Sequence, residues 1–244
     1  MSNGWRGSSN FRKERILELI KALNDEKAHE SVISALSQIG KPVIPYLKEL
    51  MKSSNPIERI TAIRILGRIG EESISDLILA LEDENQWAQL TAVRYLGKLG
   101  PKAKGALSHL SVILDNPDSL AFEKAIWAIG EICEGLSEVP FDIPHKLLKI
   151  LNDEDTSDLY YYSDIVRAFD KMKSYPKGLT QIILQRLNCY NYDISTDEEV
   201  RILILIAKSD PSSLKLINDF YVTADRYTKI TLKMVLSEFT EQNE

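Results

Sequence analysis

TAIRILGRIG, residues 61–70, returns thirty residues later as TAVRYLGKLG, residues 91–100, with Gly67 answered by Gly97 and Gly70 by Gly100. Aligning on that glycine pair extends the echo both ways, to VISALSQIG at 32–40 and KAIWAIGEIC at 124–133, at spacings of 30, 30 and 33 residues. A period in this range marks an array of stacked supersecondary units, each too small to bury its apolar face alone.

Each period divides into two helices. In the first, apolar residues recur at i, i+3, i+4 and i+7, as Ile16, Leu19, Ile20 and Leu23 and again as Ile74, Leu77, Ile78 and Leu81, the single stripe of an amphipathic helix. A break rich in Asp, Asn and Pro follows: NDEK at 24, SSNP at 53, EDEN at 82, DNPD at 115, NDEDTSD at 152. Such residues stop one helix and offer side-chain acceptors to the open amides of the next. The second helix ends at Gly70 or Gly100, where a left-handed cap suits glycine, with Pro42 and Pro101 just beyond such ends. Gly67, Gly97 and Gly130 lie inside the second helices, where glycine costs roughly 1 kcal/mol relative to alanine; the close approach of a neighbouring helix is the expected compensation.

The run of alanine, apolar residue, Leu-Gly and a second glycine after an Asp/Asn/Pro turn resembles the short HEAT-like repeats of phycobilin lyases and many bacterial scaffold proteins. The resemblance holds best in units two to four; Ser37 replaces the first glycine of unit one, and the match fades after residue 140. At the place of that family's arginine stand Arg59 and Arg201, but also Gln89 and Phe122, so no unbroken Asp–Arg ladder between repeats is expected.

The helical rhythm continues over about 144–173, 176–209 and 211–240, and ILILIA at 202–207 is apolar around its whole circumference, so that helix must be covered on every side. The expected fold is all-α, a right-handed α-solenoid of about seven stacked helix pairs: a tail over 1–10, then one domain over 11–244, with longer loops at 134–145 and 188–197.

Composition sets bounds on function. Hydrophobic residues at 44% and charged residues at 27% describe a folding chain, and the net charge of −6 excludes a wholly cationic surface. Cys133 and Cys189 form no CxxC pair, which supports neither a disulfide framework nor a zinc ribbon. The N-terminal MSNGWRGSSN has no apolar core of a signal peptide, and no apolar run is long enough to span a bilayer, so a soluble cytoplasmic protein without membrane contact is expected. His29, His109 and His145 fall in different units without metal-ligand spacing, and the glycines end helices instead of following strands; no metal, cofactor or catalytic group is expected.

Function is expected on the one face of the second helices that is not apolar. Its positions are Thr61, Arg64 and Arg68 in unit two, Thr91, Arg94 and Lys98 in unit three, Lys124, Trp127 and Glu131 in unit four, and Asp164, Arg167 and Lys171 in unit five. Seven cations against two carboxylates give this stripe +5, leaving −11 for the rest of a chain of net −6. In a solenoid such a stripe lines the concave surface, and a basic groove on an acidic body steers anionic partners. The expected role is a non-catalytic scaffold holding another protein, an acidic segment above all, with Trp127 as an anchor. The alternatives are nucleic-acid binding through the Arg/Lys stripe, or, by analogy with the resembling family, a bilin lyase or lyase subunit.

Overall fold

The computed structural model describes residues 9–23, 29–140, 142–152, 159–189 and 196–240, and among them the chain is helix and turn with no strand. Among the described residues fourteen α-helices follow one another as seven pairs. These are α1 (Ser9–Ala22) with α2 (His29–Ile39), α3 (Ile44–Leu50) with α4 (Pro56–Ile69), α5 (Ile74–Leu79) with α6 (Gln86–Leu99), and α7 (Leu107–Ile113) with α8 (Phe122–Cys133). Then come α9 (Asp142–Asn152) with α10 (Leu159–Met172), α11 (Leu179–Cys189) with α12 (Thr196–Ser209), and α13 (Pro211–Thr223) with α14 (Arg226–Thr240). Most of the expected tail, the break at 24, most of the break at 152 and most of the loop at 188–197 lie outside the described residues.

Two compact units divide the chain, Met1–Ala128 and Ile129–Glu244, and the division falls inside α8. In the first unit the second helices pack on one another, α2 on α4 and α4 on α6, while α3 and α5 pack against their own partners. This arrangement explains why α4 buries Ala62, Ile63, Ile65 and Leu66 completely, and α6 buries Ala88, Ala92, Val93 and Leu96 completely. Each large aliphatic side chain removed from water contributes about 1.5–3 kcal/mol, so most of the stability of a pair resides in its contacts with the next.

The asparagines of the breaks start the second helices. Asn55 Oδ1 accepts from the Ile57 amide at 3.0 Å, and Asn85 Oδ1 accepts from the amides of Trp87 at 3.0 Å and Ala88 at 3.2 Å. The glycine ends differ from the left-handed helical cap. Gly70 has φ 96° and ψ −136°, Gly100 φ 58° and ψ −141°: positive φ with extended ψ, a region almost restricted to glycine. The Gly70 amide still donates to Leu66 O at 3.1 Å, and the chain turns at once into a 3₁₀ segment that leads into the next first helix. Pro42 and Pro101 sit in the first turn of such segments, so proline here begins a helix as well as preventing continuation of the last.

The interior glycines mark close approach. A Cβ on Gly67 would stand 2.1 Å from Tyr95 Cγ, one on Gly97 3.0 Å from Ala128 Cα, and one on Gly130 3.1 Å from Ala168 Cα. At Gly97 and Gly130 the obstacle is the backbone of the neighbouring helix, and at Gly67 an aromatic ring lies across the gap.

In the second unit α12 carries the ILILIA run. Ile202, Leu203, Ile206 and Ala207 are buried and Ile204 and Leu205 half-buried, because α10, α11, α13 and α14 all pack against that helix. Among the described residues no helix is long and apolar enough to cross a membrane.

Candidate functional site

Helices α4 and α6 run side by side, and their relative height is fixed at the turns that precede them. Arg59, only 6% exposed, donates from Nε and Nη2 to the two carboxylate oxygens of Asp83, both at 2.9 Å. Its Nη1 donates to Ser53 O at 2.9 Å and its Nη2 also reaches Glu84 at 3.1 Å. One guanidinium thus rivets the turn of the second pair to the turn of the third. Burial by itself would raise the Asp83 carboxyl, but the Arg59 bond and the Asn85 amide outweigh it and hold the group below the usual carboxylate value. Gln89, at the arginine place of the third pair, donates instead to Asp83 O of its own turn at 2.8 Å. Arg59 is thus the rung at this junction, and Arg201, the other arginine at that place, pairs with Asp170 of the preceding helix pair.

With that register fixed, Arg64, Arg68, Thr91, Arg94, Tyr95 and Lys98 line one depression of about 270 Å³ between α4 and α6. Glu30, in the first turn of α2, reaches into the same cluster. It accepts from Arg64 and, at 2.9 Å, from Arg68, and these two guanidiniums, Arg64 first, hold its carboxyl below the ordinary value. Glu30 is not legible from the repeat, because Ser34 is the repeat equivalent of Arg64. Side chains on a helix lean toward its N-terminus, however, so a long arginine on α4 meets the residue one turn earlier on α2.

The remaining cations are not compensated in this way. Among the described residues no carboxylate lies within ion-pair reach of Arg94, which is exposed, and Lys98 rests over the Tyr95 ring at 5.3 Å from its centroid. The depression therefore offers a guanidinium and an ammonium to an incoming anion, beside two further guanidiniums that already share a carboxylate.

Lys124 lies over the Trp127 ring at 5.1 Å, and that ring closes the gap above Gly97, with Cζ3 2.5 Å from where a Cβ would be. Trp127 is accordingly half-buried, serving the stack between α6 and α8 while leaving part of its ring open. Thr61 requires a correction. It is only 4% exposed, because α2 and α6 flank α4 at its position, and it is not available to a partner. Thr91 is half-buried, and its hydroxyl donates to Trp87 O at 2.7 Å.

The other expected residues belong to the second unit and form a cluster of their own. Lys171 pairs with Glu131 at 2.7 Å and with Glu134 at 3.1 Å, and Arg167 lies 3.6 Å from Asp164. Glu134 lies outside the expected stripe, as it follows the last residue of α8. Three carboxylates face two cations here, so this cluster carries none of the positive charge expected of the stripe.

Cys133 is fully buried, and burial pushes its thiol up to about 12, far from a reactive thiolate. Among the described residues no group of three His, Cys, Asp or Glu side chains is arranged to hold a metal ion.

Comparison with known proteins agrees with this architecture. Residues 44–130 match the family model of HEAT repeats, which covers the second to fourth helix pairs. The complex of CpcE and CpcF of phycocyanin lyase from Nostoc sp. PCC7120 is similar in fold, with a TM-score of 0.53 and 22% identity over 64% of this chain and 98% of that one. An engineered protein is similar with a TM-score of 0.57 and 18% identity, over 91% of this chain and 67% of that one. No curated protein matches the chain by sequence. The segment 44–130 is thus built of HEAT repeats, and at these identities the solved structures speak for the fold.

Proposed function

We propose that this HEAT-repeat chain is a non-catalytic interaction module whose α4–α6 depression holds an acidic segment of another protein. The observation that carries the proposal is the pair Arg94 and Lys98, cations that no carboxylate of the described residues compensates, set beside Arg64 and Arg68. Glu30 illustrates the contact, since one carboxylate already spans two guanidiniums there. A guest carboxylate placed against Arg94 would gain charge-assisted hydrogen bonds of the same kind. Stacking platforms for successive bases are a poorer fit to this surface, because Tyr95 and Trp127 both lie against glycines of the neighbouring helix.

The test is fluorescence polarisation with a labelled Asp/Glu-rich peptide and with labelled single- and double-stranded oligonucleotides, each over a salt series. Saturable peptide binding that falls about tenfold or more on Arg94→Gln/Lys98→Gln supports the proposal. Peptide binding indifferent to those substitutions, or tighter oligonucleotide binding with a steep salt slope, refutes it.

A further inference from the structure

Isolated exposed apolar residues are ordinary on a protein surface, but here they are periodic. Among the described residues of the first unit the large hydrophobic side chains most open to water are Ile57 at 67%, Val112 at 66%, Trp87 at 60%, Leu79 at 59% and Leu120 at 48%. All five bracket the turns inside the second, third and fourth pairs. Ile57 and Trp87 hold the same place, two residues after the capping asparagine. Leu120 follows Trp87 by thirty-three residues, the spacing of Gly97 and Gly130, and Val112 follows Leu79 by the same interval. Nothing in helix initiation requires an apolar residue at these places. A row repeated from pair to pair, its first two turns held in register by Arg59, is a surface awaiting a cover.

The charges beside the row indicate its occupant. Seven residues on from Ile57 and Trp87, on the same face and roughly 10 Å along each helix, stand Arg64 and Arg94; Lys124 lies four residues after Leu120. The turns themselves carry Glu82, Glu84, Asp115 and Asp118 between these apolar residues, and they would repel an anionic lipid surface. We infer that the apolar turn edge of the first unit, continuous along the second helices with the Arg64–Arg94 cations, docks an amphipathic α-helix of a partner protein that bears an acidic flank. This inference rests on the acidic-segment reading above and specifies the partner's form. Packed helices lie about 8–10 Å apart, and a heptad advances about 10.5 Å, so a helix lying across the pairs presents one apolar residue per heptad to Ile57, Trp87 and Leu120 in turn. Its carboxylates then face Arg64 and Arg94.

The experiment selects from a phage-displayed library of random 16-residue peptides on the whole chain, then measures the consensus peptide by polarisation against Trp87→Ser, Leu120→Ser and Arg94→Gln. Circular dichroism and melting confirm that each exposed-site variant remains folded. Expected are peptides with heptad-spaced apolar residues and Asp or Glu on one flank, weakened about tenfold or more by Trp87→Ser and by Arg94→Gln. Acidic peptides without apolar periodicity, bound equally by Trp87→Ser, would overturn the apolar dock and leave the acidic-segment reading standing. Dependence on Trp87 with indifference to Arg94 would overturn both. Failure to select any peptide, or Trp87-dependent binding to phosphatidylcholine vesicles instead, overturns the helix as occupant.

Discussion

Replacing Gly97 with alanine sets two effects of known size against each other. Alanine is favoured in a helix interior by about 1 kcal/mol, and in an uncrowded helix the substitution would stabilise. Here the new Cβ would sit 3.0 Å from both Cα and Cβ of Ala128 and 2.5 Å from Trp127 Cζ3. The tryptophan ring can shift, but Ala128 Cα belongs to the backbone of α8 and moves only if the helices separate. Overpacking of this kind costs about 1–3 kcal/mol, and a backbone obstacle places it near the upper end, leaving a net loss of about 2 kcal/mol. For a chain of this length that corresponds to a fall in melting temperature of roughly 4–8 °C. Urea unfolding followed by circular dichroism and by tryptophan emission reads the change. Gly105→Ala is the control, since its Cβ would meet only Ile78 Cδ1 at an ordinary 3.8 Å. If Gly97→Ala proves as stable as the wild type, the close-approach explanation of the interior glycines is wrong.

Three further outcomes follow from the geometry. Asp83→Asn removes the carboxylate that receives Arg59 and should cost about 2 kcal/mol at pH 7. Because the folded carboxyl lies below its ordinary value, that stabilisation is present above the ordinary carboxylate pKa and is lost as pH falls through the folded one. Urea midpoints of wild type and variant should therefore converge in acid, and a constant gap from pH 7 to pH 3 would contradict the assignment. Glu30→Gln frees Arg64 and Arg68 and should tighten binding of the Asp/Glu-rich peptide several-fold at low salt, by polarisation; unchanged or weaker binding would remove those two arginines from the site. Cys133 should resist iodoacetamide at pH 8 in the folded protein and react once urea unfolds it, as peptide mapping by mass spectrometry would show.

The helix pairs were legible because burial on one face imposes a period that any stacked pair must repeat. The glycines of TAIRILGRIG and TAVRYLGKLG were legible for the same reason, as the absence of a side chain is itself a packing signal. What escaped depends on reach across helices. Glu30 meets Arg64 through the lean of long side chains, whereas the broken ladder was legible, Arg59 pairing with Asp83 and Gln89 turning back on its own loop. Thr61 looks like its neighbours on a helical wheel, but a residue's exposure is decided by what packs beside the helix, which a wheel does not contain. The division inside α8 left no mark on composition, since one continuous helix serves both sides of it.

The guanidinium fork at Arg59 implies uneven compliance along the first unit. The second and third pairs are bolted together at their loops, whereas Gln89 turns back on its own loop and Phe122 offers no hydrogen bond from its side chain at the matching place. Under torsion the seam between the third and fourth pairs should yield first, so amides around 114–121 should exchange with deuterium sooner than those around 83–85. Equal exchange at the two seams would show that apolar packing, and not the fork, sets the stiffness of the joints.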